Sequence, residues 1–501
     1  MKRNSGILLP VFSLPNNYGI GGFGRECYNF IDYLKEAGQS VWQVLPLVET
    51  GFGNSPYSSK CSYSFNPYFI SLEHLKSDGL ITNEELKSQR CNQTYIDYGK
   101  LYKERFPLLR KAFLRFDVKD PEFKKFVKSE KYKDYAVFSA LKTLKYECGD
   151  HTYESLLLRR DQSKISNFIK NNEQEYLFWL FLQYYANSEW EDVKSYAKAN
   201  GIKILGDLPL YVAYDSVDVW SNPELFCLDQ NLIPKKVAGV PPDYFCKEGQ
   251  LWGNPVYDYS VHRLDGFSWW KNRIKKVLKI YDLVRIDHFR GLDRFYTVNY
   301  GSENAMNGEW IDVPSKELFS EIFKVAKKEQ IIAEDLGVID DGVIELLNYT
   351  GLSGMKVLSF AFNGDTNNPY LPENTIKNSV YYTGTHDNDT LKGLISSLTE
   401  SELETLKKGV KNSLKKLKIS GNVNTQNQLI NTIIKLGFYS KSNTFIMPFG
   451  DVIKAGSEKR INSPGFLKEQ NWAVRFSKKD FSSSRAEKLR KLTESSGRFN
   501  G

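Results

Sequence analysis

Along the chain, stretches with apolar residues at helical spacing alternate with short runs of β-branched and aliphatic residues that end in a polar group. The first pair is a helix around Cys27–Glu36, a stop at Gly38 and a strand over Val41–Leu45. The order recurs as a helix over Tyr176–Asn200, stopped by Gly201, and a strand over Ile204–Asp207. It recurs again as helices over 269–281 and 318–330, each followed by a strand, Leu283–Asp287 and Ile331–Glu334. Further strands are predicted over Met355–Phe360, Val380–Thr385 and Thr444–Met447, and Gly6–Leu9 opens the series. Eight strands separated by helices predict an α/β fold, a (β/α)8 TIM-type barrel whose site lies on its C-terminal face. A doubly wound open sheet is the alternative.

The rhythm breaks over 72–172, where LYKERFPLLRKAFLRF (101–116) and KDYAVFSALKTLKY (133–146) are the clearest helices. This stretch predicts an inserted helix-rich subdomain that divides the barrel into residues 1–71 and 173–501. A second excursion, 208–262, is rich in Pro, Gly and aromatics and too long for an ordinary connector, which predicts a functional loop.

Composition narrows the function class. The chain has 501 residues, 41% hydrophobic and 26% charged, which excludes disorder and a small disulfide scaffold. Only 5 His stand among 30 Tyr, 31 Phe and 9 Trp, so a histidine beside a carboxylate draws notice. The net charge is +8, but in the lysine-rich stretch 406–418 the apolar Leu406, Val410, Leu414 and Leu417 keep helical spacing. Those lysines form a solvated helix face, and no nucleic-acid partner is expected. Six cysteines form no C-x-x-C pair, which fits a reducing compartment without a zinc site. No stretch reaches the ~18 apolar residues of a membrane helix, and the apolar run near the N-terminus is broken by Pro10. Neither a membrane segment nor a signal peptide is expected, and the expected location is the cytoplasm.

Three carboxylates close predicted strands: Asp287 in RIDHFRG, Glu334 in IIAEDLG and Asp387 in TGTHDND. Adjacent barrel strands lie ~4.8 Å apart, so Asp287 and Glu334 are expected to face one another at the ~5–5.5 Å separation of a retaining glycosidase. Salt bridges at the barrel mouth are the plainer alternative, which Arg285 beside Asp287 permits. Two other patterns carry no site. GIGGFG (19–24) fits a dinucleotide fingerprint, but Pro15–Tyr18 stand where a strand should lead directly into it. The acidic run Asp387–Asp389 beside His386 lies on one extended segment that cannot converge on an ion, so neither metal nor cofactor is expected.

The motifs resemble those of the amylomaltases, or 4-α-glucanotransferases, of glycoside hydrolase family 77, relatives of the α-amylases. The resemblance runs nearly end to end, through GILLPVFSLPNNYGIGGFG (6–24), WQVLPLVETGFGNSPY (42–57), NPYFI (66–70) and GDLPLYVAYDSVDVW (206–220). It continues through VAGVPPDYF (237–245), GQLWGNPVYDY (249–259), RIDHFRG, AEDLG, GTHDND and SEKRINSPG (457–465). It implies transfer of α-1,4-glucan segments between maltooligosaccharides, with Asp287 as nucleophile, Glu334 as acid/base and Asp387 as transition-state stabiliser. It further implies supporting roles for Arg285, which orients Asp287, for His386, a donor to the same sugar ring, and for Asp207. In α-amylases the Asp207 motif ends in His, whereas here Val212 stands there, as in amylomaltases. Tyr57, Asn66, Tyr244, Phe245 and Trp252 are the aromatic and amide candidates for glucan subsites, rings suiting sugar faces and amides their hydroxyls. SSKCSYSF (58–65) and MPFGDV (447–452) depart from the family pattern, closer to QSFSAFAG and LQDL, and bear on distant subsites and chain-length preference. An α-glucan hydrolase on the same scaffold and a noncatalytic glucan-binding protein are the alternatives.

Overall fold

The computed structural model describes residues 3–147, 161–242, 247–337, 339–466 and 468–499. Eight parallel strands form the central sheet: β1 (Asn4–Leu8), β2 (Val41–Gln43), β3 (Lys203–Leu208), β6 (Leu283–Ile286), β9 (Ile331–Ala333), β10 (Gly354–Val357), β11 (Ser379–Tyr382) and β12 (Thr444–Pro448). They run in the order β10-β11-β12-β1-β2-β3-β6-β9. A bridge from Ile332 to Ser353 and an Ala333 N–H donated to Ser353 O at 2.9 Å join the two edges and close the barrel. All eight predicted strands are present, and the open-sheet alternative falls. The strands are apolar on both faces, as at Val284, Ile286, Phe445 and Ile446, because helices cover the outside while side chains fill the inside.

The helix Ser268–Ile280 buries Trp270, Ile274 and Val277 against the barrel. Its buried Arg273 donates to Pro209 O at 2.6 Å and Leu210 O at 2.9 Å, fixing the chain just past β3. The helix predicted over 318–330 is shorter, Ser315–Ile322 followed by a 3-10 turn at Lys328–Gln330. Lys324 and Val325 donate three residues back, to Glu321 O and Ile322 O, which tightens and ends it. Over 72–147 and 161–172 the chain forms successive helices, among them Tyr98–Arg115 and Pro121–Lys128. Phe113 and Phe123 pack edge-on or tilted against Phe178, Phe181 and Tyr184 of the long helix Glu173–Ala199. Farther along that helix, Trp190 meets Phe23 and Trp42 under the barrel wall.

The excursion at 208–262, expected as a functional loop, also contains strands. It holds β4 (Lys236–Val240) and β5 (Gln250–Pro255), which join β7 (Arg294–Asn299) and β8 (Gly308–Asp312) in an antiparallel sheet of order β5-β4-β7-β8. Val237, Tyr296, Val298 and Ala305 form its own small core.

The GIGGFG run is explained by packing. A Cβ on Gly21 would lie 2.1 Å from Val11 O, and one on Gly22 would lie 2.6 Å from Phe69 O. Those glycines let backbone pass against backbone.

Candidate active site

The site is assembled at the C-terminal ends of β3, β6, β9 and β11. Register places Asp207 opposite Arg285 across β3 and β6, and Ile286 opposite Ala333 across β6 and β9. The ladder continues one residue further, since Glu334 N–H donates to Ile286 O at 3.0 Å and Phe289 N–H to Glu334 O at 3.2 Å. Asp287 and Glu334 therefore leave neighbouring strands side by side.

Arg285 links two carboxylates. Its Nε donates to both oxygens of Asp207 at 3.0 Å, and its Nη2 donates to Asp207 Oδ2 and to Asp287 Oδ1, each at 2.7 Å. The Arg285 and Asp207 side chains are 3% and 0% exposed, whereas Asp287 keeps 30% of its side-chain surface open, so the buried pair backs the open carboxylate. Tyr57 OH donates to Asp207 Oδ2 at 2.5 Å and accepts from Arg285 Nη2 at 3.2 Å. Its ring stacks on His386 at 5.0 Å between centroids. Burial pushes the Tyr57 phenol well above its usual range and pulls His386 below, so Tyr57 keeps its proton and His386 stays neutral.

Glu334 has a different setting. Its Oε2 accepts the His288 N–H at 2.8 Å and its Oε1 the Leu336 N–H at 3.2 Å. His288 adopts a left-handed φ of 51°, which turns the chain sharply after Asp287 and aims that N–H at Glu334. Burial and then the charge of Asp287 push the Glu334 carboxyl well above the usual carboxylate range. Burial raises Asp287 too, but Arg285 favours its ionised form. A proton shared by the pair therefore sits on Glu334.

Asp387 faces the same space and is held by residues far along the chain. Asn462 Nδ2 donates to its Oδ1 at 2.6 Å, Arg460 Nη2 donates to its carbonyl at 2.7 Å, and His386 Nε2 lies 3.4 Å from Oδ1. Arg460 and Asn462 lie within SEKRINSPG, which pointed to them as a motif without giving either a role. Trp472, with its ring centroid 5.7 Å from those of both Tyr57 and His386, had no signal in the sequence.

The subsite candidates divide. Trp252 on β5 is 37% exposed and meets the His288 ring edge-on at 4.8 Å, beside the carboxylates. Asn66 is 2% exposed and its Oδ1 caps the turn Pro67–Phe69 by accepting the Tyr68 N–H at 3.0 Å. Tyr244 and Phe245 lie outside the described residues.

One stability consequence follows from the buried ion pair. Removing one partner of such a pair strands the other, at a cost of about 3–5 kcal/mol. Asp207→Ala should therefore lower the thermal unfolding midpoint clearly, and Asp207→Asn should do so less because an amide oxygen still accepts from Arg285. An Asp207→Ala midpoint equal to wild type would contradict this role.

Fold and site together define a (β/α)8 enzyme built around paired carboxylates on neighbouring strands. The chain belongs to glycoside hydrolase family 77, the 4-alpha-glucanotransferases, whose family model matches residues 9–480. It is 41% identical over 495 residues to the 4-alpha-glucanotransferase of Clostridium butyricum, covering 97% of this chain and 99% of that protein. The 4-alpha-glucanotransferase of Thermus thermophilus is 38% identical over 508 residues, covering both chains fully. Among solved structures, an amylomaltase from Streptococcus agalactiae in complex with acarbose superposes with a TM-score of 0.91 at 34% identity over 100% of both chains.

Proposed function

We propose that this 4-alpha-glucanotransferase works by retaining double displacement on maltooligosaccharides, with Asp287 as nucleophile, Glu334 as acid/base and Asp387 as transition-state stabiliser. The observation that carries the reading is the asymmetry of the pair, Asp287 joined to Arg285 while Glu334, among the described residues, meets only backbone N–H donors in its hydrogen bonds. An ionised carboxylate beside a protonated one is the arrangement a glycosyl transfer needs.

In the first step an Asp287 oxygen forms a bond to the anomeric carbon as the bond to the departing 4-oxygen breaks, and Glu334 gives its proton to that oxygen. The charge on Asp287 is then used in the ester, which lets Glu334 act as base. In the second step Glu334 takes the proton from the 4-hydroxyl of an acceptor glucan as that oxygen displaces Asp287. Asp387, fixed by Asn462, meets ring hydroxyls as the sugar flattens toward the oxocarbenium ion, and His386 donates to the same ring. Trp252, Tyr57 and the excursion at 208–262, which includes Tyr244 and Phe245, favour a sugar acceptor over water, because a held acceptor gains from orientation and water does not. The same reading assigns residues 1–71 and 173–501 to the catalytic barrel and 72–172 to an inserted subdomain. Among the described residues no helix is long and apolar enough to cross a membrane. A cytoplasmic location fits the bacterial relatives.

Incubation with pure maltotriose is expected to give glucose together with a ladder of longer oligosaccharides and few new reducing ends. Trp252→Ala should lower the ratio of transfer to hydrolysis more than it lowers donor cleavage. Maltose and glucose alone, with reducing ends rising one for each bond broken, would favour a hydrolase instead.

A further inference from the structure

A second concavity, of about 480 Å³ and lined by none of the three carboxylates, lies between the loop after β1, the residues just before helix Tyr98–Arg115, and segment 475–480. Its lining includes Lys459, Arg475 and Lys478 and the amides Asn17, Asn92 and Gln93. Arg475 is only 6% exposed and forms no ion pair among the described residues. Its Nη1 donates to Gln93 O at 2.8 Å and its Nη2 to Asn16 O, both backbone carbonyls, and its buried Nε has no hydrogen-bond partner among the described residues. Lys459 donates to the Arg475 carbonyl and lies 5.2 Å above the Phe476 ring, and among the described residues neither cation has a carboxylate at ion-pair distance, Asp480 and Glu458 acting on Lys459 and Glu26 on Arg475 only from farther away. The carboxylate in the lining, Asp480, turns one oxygen to the Ser477 N–H at 2.7 Å and hydroxyl at 3.0 Å. A guanidinium taken from water without a counter-charge is unfavourable, and a bound anion would supply that charge.

The cations share this lining with amides. The carboxamides of Asn17 and Asn92 make no side-chain hydrogen bond among the described residues, and both line the concavity. Carboxamides present a donor and an acceptor together, the pattern that matches sugar hydroxyls. Cations and carboxamides lining one space of this size select a ligand that carries both an anionic group and hydroxyls.

We propose that this concavity is an effector site for a phosphorylated sugar, its phosphate held by Arg475, Lys459 and Lys478 and its hydroxyls by Asn17, Asn92 and Gln93. The site also connects to the cleft, because Lys459 immediately precedes Arg460, which holds the Asp387 carbonyl, and Asn462, which holds its carboxylate. A link through this segment requires acarbose affinity to change on adding glucose 6-phosphate by the same factor as the reverse, and an unchanged acarbose affinity would overturn the effector role.

The test is calorimetric titration of the full chain, its cleft saturated with acarbose, using glucose 6-phosphate, inorganic phosphate and glucose as separate probes. Glucose 6-phosphate is expected to bind in the submillimolar range, more tightly than phosphate, with glucose not binding. Lys478→Glu, a surface change that places a like charge beside the phosphate, should weaken binding by roughly tenfold or more, and added salt should weaken it in wild type. Absence of glucose 6-phosphate binding, or unchanged binding by Lys478→Glu, would overturn the site. Phosphate binding as tightly as glucose 6-phosphate would overturn the sugar half of the assignment.

Discussion

Replacing Asp287 by Asn should reduce glucan transfer on the order of 10⁴-fold or more while fold and glucan binding persist. The substitution keeps the size of the side chain and an oxygen that accepts from Arg285 Nη2, now at 2.7 Å from Asp287 Oδ1. It removes the attacking charge. Arg285 remains compensated because Asp207 still takes its Nε and Nη2, so no buried cation is stranded and the thermal midpoint should change little. The measurements are turnover on maltotriose, acarbose affinity and thermal unfolding. Near-native turnover would remove Asp287 from the nucleophile's place.

Glu334→Gln should lose roughly 10²–10⁴-fold on maltotriose, the usual worth of a positioned proton donor. It should lose far less in the first step on maltotriosyl fluoride, whose leaving group departs without a proton. The pH dependence follows from the raised Glu334 carboxyl. Donor cleavage needs the proton on Glu334, so the wild-type rate is full below that raised pKa and falls as pH rises through it. The acid side falls as Asp287 takes up its own proton, against the pull of Arg285. In Glu334→Gln with the fluoride donor the alkaline fall should vanish and the acid fall remain, because only Asp287 still titrates. Equal losses on both donors would end the acid role of Glu334.

The barrel was legible because fully buried parallel strands are dense in aliphatic and β-branched residues. LVRI at Leu283–Ile286 and TFIM at Thr444–Met447 each follow a helix, and LVRI runs directly into Asp287. Asp287 and Glu334 were legible for the same reason, since a carboxylate directly after such a run has little choice but the barrel mouth. The second sheet was hidden, because KVAGV and QLWGNP are short and interrupted by Gly and Pro, and they gain their pairing from β7 and β8 far downstream. The capping role of Asn66 was hidden because an amide that caps a turn looks, in sequence, like one free to meet a sugar. The grip of Asn462 on Asp387 spans 75 residues, and a contact of that range leaves no local signature. What Arg285 does was only half visible: adjacency suggested a partner for Asp287, but the prior commitment of its Nε to Asp207 required the register of β3 against β6.

The most direct test of the paired-carboxylate mechanism is to trap its intermediate. Glu334→Gln, mixed with maltotriosyl fluoride without an added acceptor and quenched in acid, should carry one maltotriosyl group per chain, since the base that would release it is gone. Peptide mass mapping should place that group on Asp287 in RIDHFRG. An adduct on another residue, or rapid release of fluoride with no adduct at any time, would contradict the mechanism.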